Sequence, residues 1–97
     1  MARYIVIEAI EEVDLGRLYA DIVVKARELA GLAWVGCVVE PVFIHGRRLV
    51  VRVNEECLKW VRAAMVFIDG AVTVKVTGTL RKAKAQALSI PPIFRRV

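Results

Sequence analysis

The residues best suited to chemistry lie in one short segment, Val76-Thr77-Gly78-Thr79-Leu80-Arg81-Lys82-Ala83-Lys84. The β-branched residues Val72, Val74 and Val76 stop at Gly78, and a helix-forming, cationic run follows at once. The free N–H groups of that helix's first turn would sit beside Arg81 and Lys82. Such a helix start draws anions through its unpaired donors and its dipole. Gly78 permits close approach of backbone to an anion. Thr77 and Thr79 either cap the helix or donate to a phosphate, with capping the favoured reading. Charge distribution points the same way. Beyond Asp69 there is no acid, only Lys75, Arg81, Lys82, Lys84, Arg95 and Arg96, so the net charge of +5 is concentrated near the C-terminus. Localised positive charge is expected of a surface that meets phosphates.

A second cationic group comprises Arg47, Arg48 and Arg52. Arg47 and Arg48 are placed at a hairpin mouth. Arg52 shares a strand face with Val50 and either contacts RNA or pairs with Glu8. Arg95 and Arg96 belong to a tail that could order on RNA. Catalysis is not signalled: the single histidine, His45, falls in an expected turn without a positioned acid or base. Cys37 and Cys57 lack CxxC spacing, and with one histidine they make a poor metal set. Both are read as small buried apolar residues rather than as a disulfide. No catalytic residue, metal or cofactor is therefore expected.

These side chains need a scaffold. With 97 residues the chain is expected to form one domain, residues 1–97. Arg3 to Ile10 reads as a strand with Ile5 and Ile7 on one face and Tyr4, Val6 and Glu8 on the other. Asp14 can cap a helix running to about Ala30, with Leu15, Leu18, Ile22 and Leu29 as its core stripe and Gly31 as its stop. Residues 33–44 read as a long second strand, with Pro41 as a bulge or edge signal. His45-Gly46 turns into a third strand, residues 47–53. Asn54 can cap a second helix to about Ile68, and Asp69-Gly70 leads into a fourth strand, residues 71–77. Leu80 to Leu88 is a short third helix, followed by an extended tail beyond the prolines. The order βαββαβ plus a helix predicts an α+β, ferredoxin-like (RRM-like) sandwich with a four-stranded antiparallel sheet.

The second helix is apolar over much of its circumference. Leu58, Val61, Met65 and Ile68 suit the sheet, while Trp60, Ala63 and Phe67 lie on another side and are candidates for a protein interface. The hydrophobic fraction of 58% exceeds what one small core needs, so the third helix or a partner protein must cover the surplus. No segment has the length of a membrane span, and Glu8, Glu11 and Glu12 interrupt the N-terminal apolar run, so neither membrane insertion nor a secretory leader is expected. Few Asn and Gln, many Val and a preference for Arg lean toward a thermophile.

The chain resembles the archaeal and eukaryotic ribonuclease P protein subunits of the Pop-five / Rpp-fourteen family. The resemblance runs through Arg-Tyr-Ile-Val-Ile-Glu at 3–8, Leu-Val-Val-Arg-Val at 49–53 and Val-Arg-Ala-Ala-Met at 61–65. It is strongest at residues 76–83, where the family has a Ser-Gly-Thr-hydrophobic-Arg signature and this chain has Thr77 for the serine. The resemblance implies a noncatalytic, cytoplasmic RNA-binding component of ribonuclease P. In that enzyme the RNA, using metal ions, removes the 5′ leader from precursor tRNA. It further implies as partners the catalytic domain of the ribonuclease P RNA and a larger TIM-barrel-like protein subunit of about thirty kilodaltons. Precursor tRNA would be met indirectly, and a homodimer could form within the assembly. Candidate RNA-binding residues are then Thr77, Gly78, Thr79, Arg81, Lys82, Lys84, Arg47, Arg48 and Arg52.

Two other classes compete. A small-ligand-binding regulatory domain of this topology would need a glycine-bearing loop before the first helix, but Gly16 falls inside that helix and the cationic C-terminal region goes unexplained. A protein-only adaptor would account for the apolar surplus. An acyl phosphatase would need an anion cradle where Glu11-Glu12-Val13-Asp14 would repel phosphate, and is set aside.

Overall fold

The computed structural model describes residues 1–89. The readings made for Arg95, Arg96 and the extended tail lie outside the described residues. The elements are β1 (Ala2–Ala9), α1 (Leu15–Ala30), a 3-10 segment (Gly31–Gly36), β2 (Val39–His45), β3 (Arg48–Asn54), a 3-10 turn (Glu55–Cys57), α2 (Leu58–Phe67), β4 (Ala71–Thr77) and α3 (Leu80–Ser89). The strands form one sheet in the order β2-β3-β1-β4, antiparallel throughout. This is the expected ferredoxin-like α+β architecture with an extra C-terminal helix.

Period-two alternation in β1 divides the molecule into layers. Ile5 and Ile7 join the main core with Leu49, Val51 and Val53 of β3, under the buried residues of α1 and α2. Val6 points the other way and meets Val50, Ala83 and Ala87, so α3 covers part of the opposite sheet face. α1 starts where expected: the Asp14 carboxylate accepts from the N–H groups of Gly16 and Arg17. It stops at Gly31, whose φ of 59° is one that glycine adopts without strain. Its buried stripe is Leu15, Leu18, Ile22 and Ala26. Ala26 is buried where the sequence pattern did not place it, and the expected core residue Leu29, in the last turn, is 36% exposed.

The long second strand is corrected. Residues Gly31–Gly36 form a 3-10 segment and β2 begins only at Val39. Two long-range ties enforce the break. Cys37 and Cys57 form a disulfide, which overturns their reading as unpaired apolar residues. The Asn54 side chain donates to the Gly36 carbonyl and accepts from the Val38 N–H, so it pins this segment and does not cap α2. His45 completes β2, and the turn falls at Gly46-Arg47, with Gly46 at φ 58°. The Tyr19 hydroxyl donates to the Val39 carbonyl at 2.6 Å, joining α1 to β2. Burial first, and the nearby Glu40 carboxylate second, raise the Tyr19 pKa above its ordinary value.

Both sheet edges are blunted against further strand pairing. β2 carries Pro41 and a register shift between Pro41 and Phe43; β4 carries the exposed Lys75 and a shift opposite Val6/Ile7.

Candidate nucleic-acid interface

α3 is the element that presents the C-terminal cations. Its first turn is capped by threonines. The Thr79 hydroxyl accepts from the Lys82 N–H at 3.3 Å, the Thr79 carbonyl accepts from the Ala83 N–H, and the Thr77 hydroxyl donates to the Thr79 carbonyl. The exposed Thr79 supplies the cap, and the buried Thr77 braces it through the Thr79 carbonyl. Gly78 has no left-handed backbone, and a Cβ there would meet Arg3 Nη1 at an ordinary 3.6 Å. Chain geometry alone does not demand glycine at this site.

Ala83 and Ala87, one helical turn apart, are the face of α3 that rests on Val6 and Val50. Their small side chains let the helix approach the sheet closely. Arg81, Lys82 and Lys84 are consequently exposed, and among the described residues no carboxylate pairs with them. Lys84 reaches toward β2, with Nζ 5.4 Å from the centre of the Phe43 ring, a cation–π distance.

The second cationic group separates into three different fates. Arg48 closes the hairpin mouth as expected, opposite His45, but at 4% exposure its guanidinium is not presented to solvent as an RNA contact would need. Antiparallel register sets it directly opposite Glu8, itself 1% exposed. Arg48 Nε donates to Glu8 Oε1 at 2.9 Å, and Nη1 donates to the carbonyls of Gln86 and Ala87 at the end of α3. A guanidinium at a helix C-terminus meets both its unpaired carbonyls and the negative end of its dipole. Arg48 therefore bolts the tail of α3 to the sheet. Arg47 is half-buried and donates to the Ile10 carbonyl at 2.6 Å. Arg52 is exposed and pairs with Glu40 across β2, not with Glu8 as one sequence reading had it.

The expected protein-interface residues also divide. Trp60 is half-buried against the main core, with Lys59 Nζ 5.2 Å from its ring. Ala63 is half-buried. Phe67 stands 59% exposed with Lys25 beside it, and Val66, which the helix pattern did not single out, is 81% exposed. The 3-10 segment adds Leu32 and Val35, three residues apart and so on one side of a 3-10 helix, both nearly fully exposed. Phe43 was missed as well. Its signal was Pro41: the bulge there shifts the alternation and turns Phe43 onto the α3 face.

Compared with known protein families and with curated proteins, the chain matches none. Among the described residues no helix is long and apolar enough to cross a membrane.

Proposed function

We propose that this chain is a noncatalytic RNA-binding subunit of a ribonuclease P of the Pop-five / Rpp-fourteen kind, acting in the cytoplasm of an archaeal thermophile. One observation carries the reading. Arg81, Lys82 and Lys84 are presented to solvent, without carboxylate partners among the described residues, on a helix fixed to the sheet at its far end by Arg48. Fixing the helix holds those cations in a set arrangement before RNA arrives, which lowers the ordering cost of binding. The role of the chain is to neutralise phosphates of the folded catalytic RNA, whose own chemistry removes the leader from precursor tRNA. The exposed Phe67 and Val66 suit the larger TIM-barrel-like subunit. The disulfide fits this setting, since intracellular proteins of hyperthermophiles retain disulfides that cytosolic proteins of mesophiles do not.

The test is electrophoretic mobility shift on ribonuclease P RNA across a salt series. Each phosphate contact contributes roughly 0.7–0.9 to the slope of log affinity against log salt. Replacing Arg81 and Lys82 by Ala should lower that slope by about 1.5. Salt-insensitive or absent binding, alone and with the larger subunit, would refute the proposal and favour a protein-only adaptor.

A further inference from the structure

The strand register sorts the α3 side of the sheet into rows. The first runs Glu40, Arg52, Tyr4, Thr77; the second Phe43, Val50, Val6, Lys75; the third His45, Arg48, Glu8, Val72. α3 sits on the middle of the second row, where Val6 and Val50 have no exposure, and is tied to the third through Arg48. In the first row Thr77 is buried at the start of α3, whereas Glu40, Arg52 and Tyr4 keep exposure, and Phe43 lies on the helix's flank. Tyr4 and Phe43 both pack one side against the small cluster under α3 and remain only half-buried. Between them stands the exposed Arg52, and over Phe43 stands Lys84.

We propose that this strip, which no described residue covers, binds unpaired RNA nucleotides, with Tyr4 and Phe43 as stacking platforms and Arg52 and Lys84 as phosphate contacts. The inference rests on the RNA-binding reading above and specifies the kind of RNA element met here. Aromatic rings interleaved with cations are the surface chemistry of single-strand binding, since every base offers a π-face and every linkage a charge. Tyr4 and Phe43 lie two strands and one row apart, about 12 Å from strand spacing and rise. Sheets of this topology seat two or three bases on such rings. A duplex does not fit the strip, because its base faces are already stacked on one another and only its backbone and groove edges are accessible.

The charges on the strip can rearrange to admit RNA. The Arg52–Glu40 pair is about half exposed on both sides, so it is weakly held and its guanidinium is free to exchange onto a phosphate. Lys84 lies over the Phe43 ring at 5.4 Å; a base taking that face displaces the ammonium toward the adjoining phosphate. Glu40, at the far end of the first row, repels phosphate and directs the RNA backbone toward α3.

The test uses the full chain and a fluorescein-labelled eight-nucleotide RNA of mixed sequence, either single-stranded or annealed to its complement, read by fluorescence anisotropy. Tighter binding of the single strand supports the proposal. Tyr4→Leu and Phe43→Leu should each weaken single-strand binding by about 5- to 100-fold, with duplex binding and the salt slope unchanged. Tyr4→Phe should retain most of the affinity. A second measurement needs no variant: photocrosslinking of the wild-type chain to a 4-thiouridine oligonucleotide should place adducts on the peptides holding Tyr4 and Phe43. Equal affinity for both RNA forms, unaffected Leu variants that remain folded, or adducts confined to α3 would overturn the proposal. Salt-dependent binding without single-strand preference would sink this inference alone; loss of salt-dependent RNA binding altogether would sink the RNA-subunit reading.

Discussion

Replacing Arg48 by Met should be among the most damaging single changes to this fold. The substitution keeps most of the side chain's apolar stem but removes a guanidinium that is 4% exposed. Glu8 is left at 1% exposure without its partner at 2.9 Å, and the carbonyls of Gln86 and Ala87 lose a charged donor. Removing one member of a buried ion pair costs about 3–5 kcal/mol, because the remaining charge stays desolvated. That is a large share of the roughly 5–15 kcal/mol that holds a domain folded. Arg52→Met is the internal control. It breaks a pair half exposed on both sides and should cost no more than about 1 kcal/mol. Urea denaturation of the two variants gives the comparison, with an expected loss of at least about 1 M in the Arg48→Met midpoint. The double variant Glu8→Leu/Arg48→Met should recover much of the loss, since well-packed apolar replacements of a buried pair are often neutral. Hydrogen exchange should show α3 amides losing protection in the single variant and regaining it in the double. Equal midpoints for Arg48→Met and Arg52→Met would refute the assignment of Arg48 as the bolt of α3.

The other expectations concern the helical layer and its ties. The disulfide closes a separation of 20 residues, worth about 3 kcal/mol by chain-entropy reasoning. Replacing Cys37 and Cys57 together by Ala should lower the melting temperature by roughly 12 °C or more, and reductant should do the same to the wild type; a melting temperature indifferent to both would contradict the tie. Trp60→Ala should cost about 2 kcal/mol because the ring packs on the core, whereas Phe67→Ser should stay within about 1 kcal/mol yet weaken co-purification with the larger subunit. Comparable destabilisation by the two, read from denaturation midpoints, would count against this division. Tyr19 is held protonated above its ordinary pKa of 10.0 by burial and then by Glu40. The stability this contributes is complete below that value and is lost as pH rises through the higher folded one. Tyr19→Phe should therefore flatten the alkaline fall in stability, while costing about 1 kcal/mol near neutrality through the lost bond to the Val39 carbonyl.

What could be read in the residues, and what could not, follows how far apart the deciding groups stand along the chain. The faces of β1, the Asp14 cap and the Gly31 stop depend on neighbours within a few positions, and each follows from periodicity or capping chemistry. The fate of the arginines does not. Whether Arg48 or Arg52 meets Glu8 depends on the pairing register of two strands some forty residues apart, and both arginines point to the same face. The closure of Cys37 onto Cys57 is likewise decided by where the 3-10 segment meets the start of α2, and neither spacing nor composition reveals that. α3 shows the same division within one helix. Its cations were legible as charge, but Ala83 and Ala87 did not read as a core face. Their smallness is what allows close docking, and close docking brings the last carbonyls within reach of Arg48. Arg81, Lys82 and Lys84 remain toward solvent because α3 sets Ala83 and Ala87 against the sheet and leaves the ion pairing to a residue 38 positions upstream of Gln86.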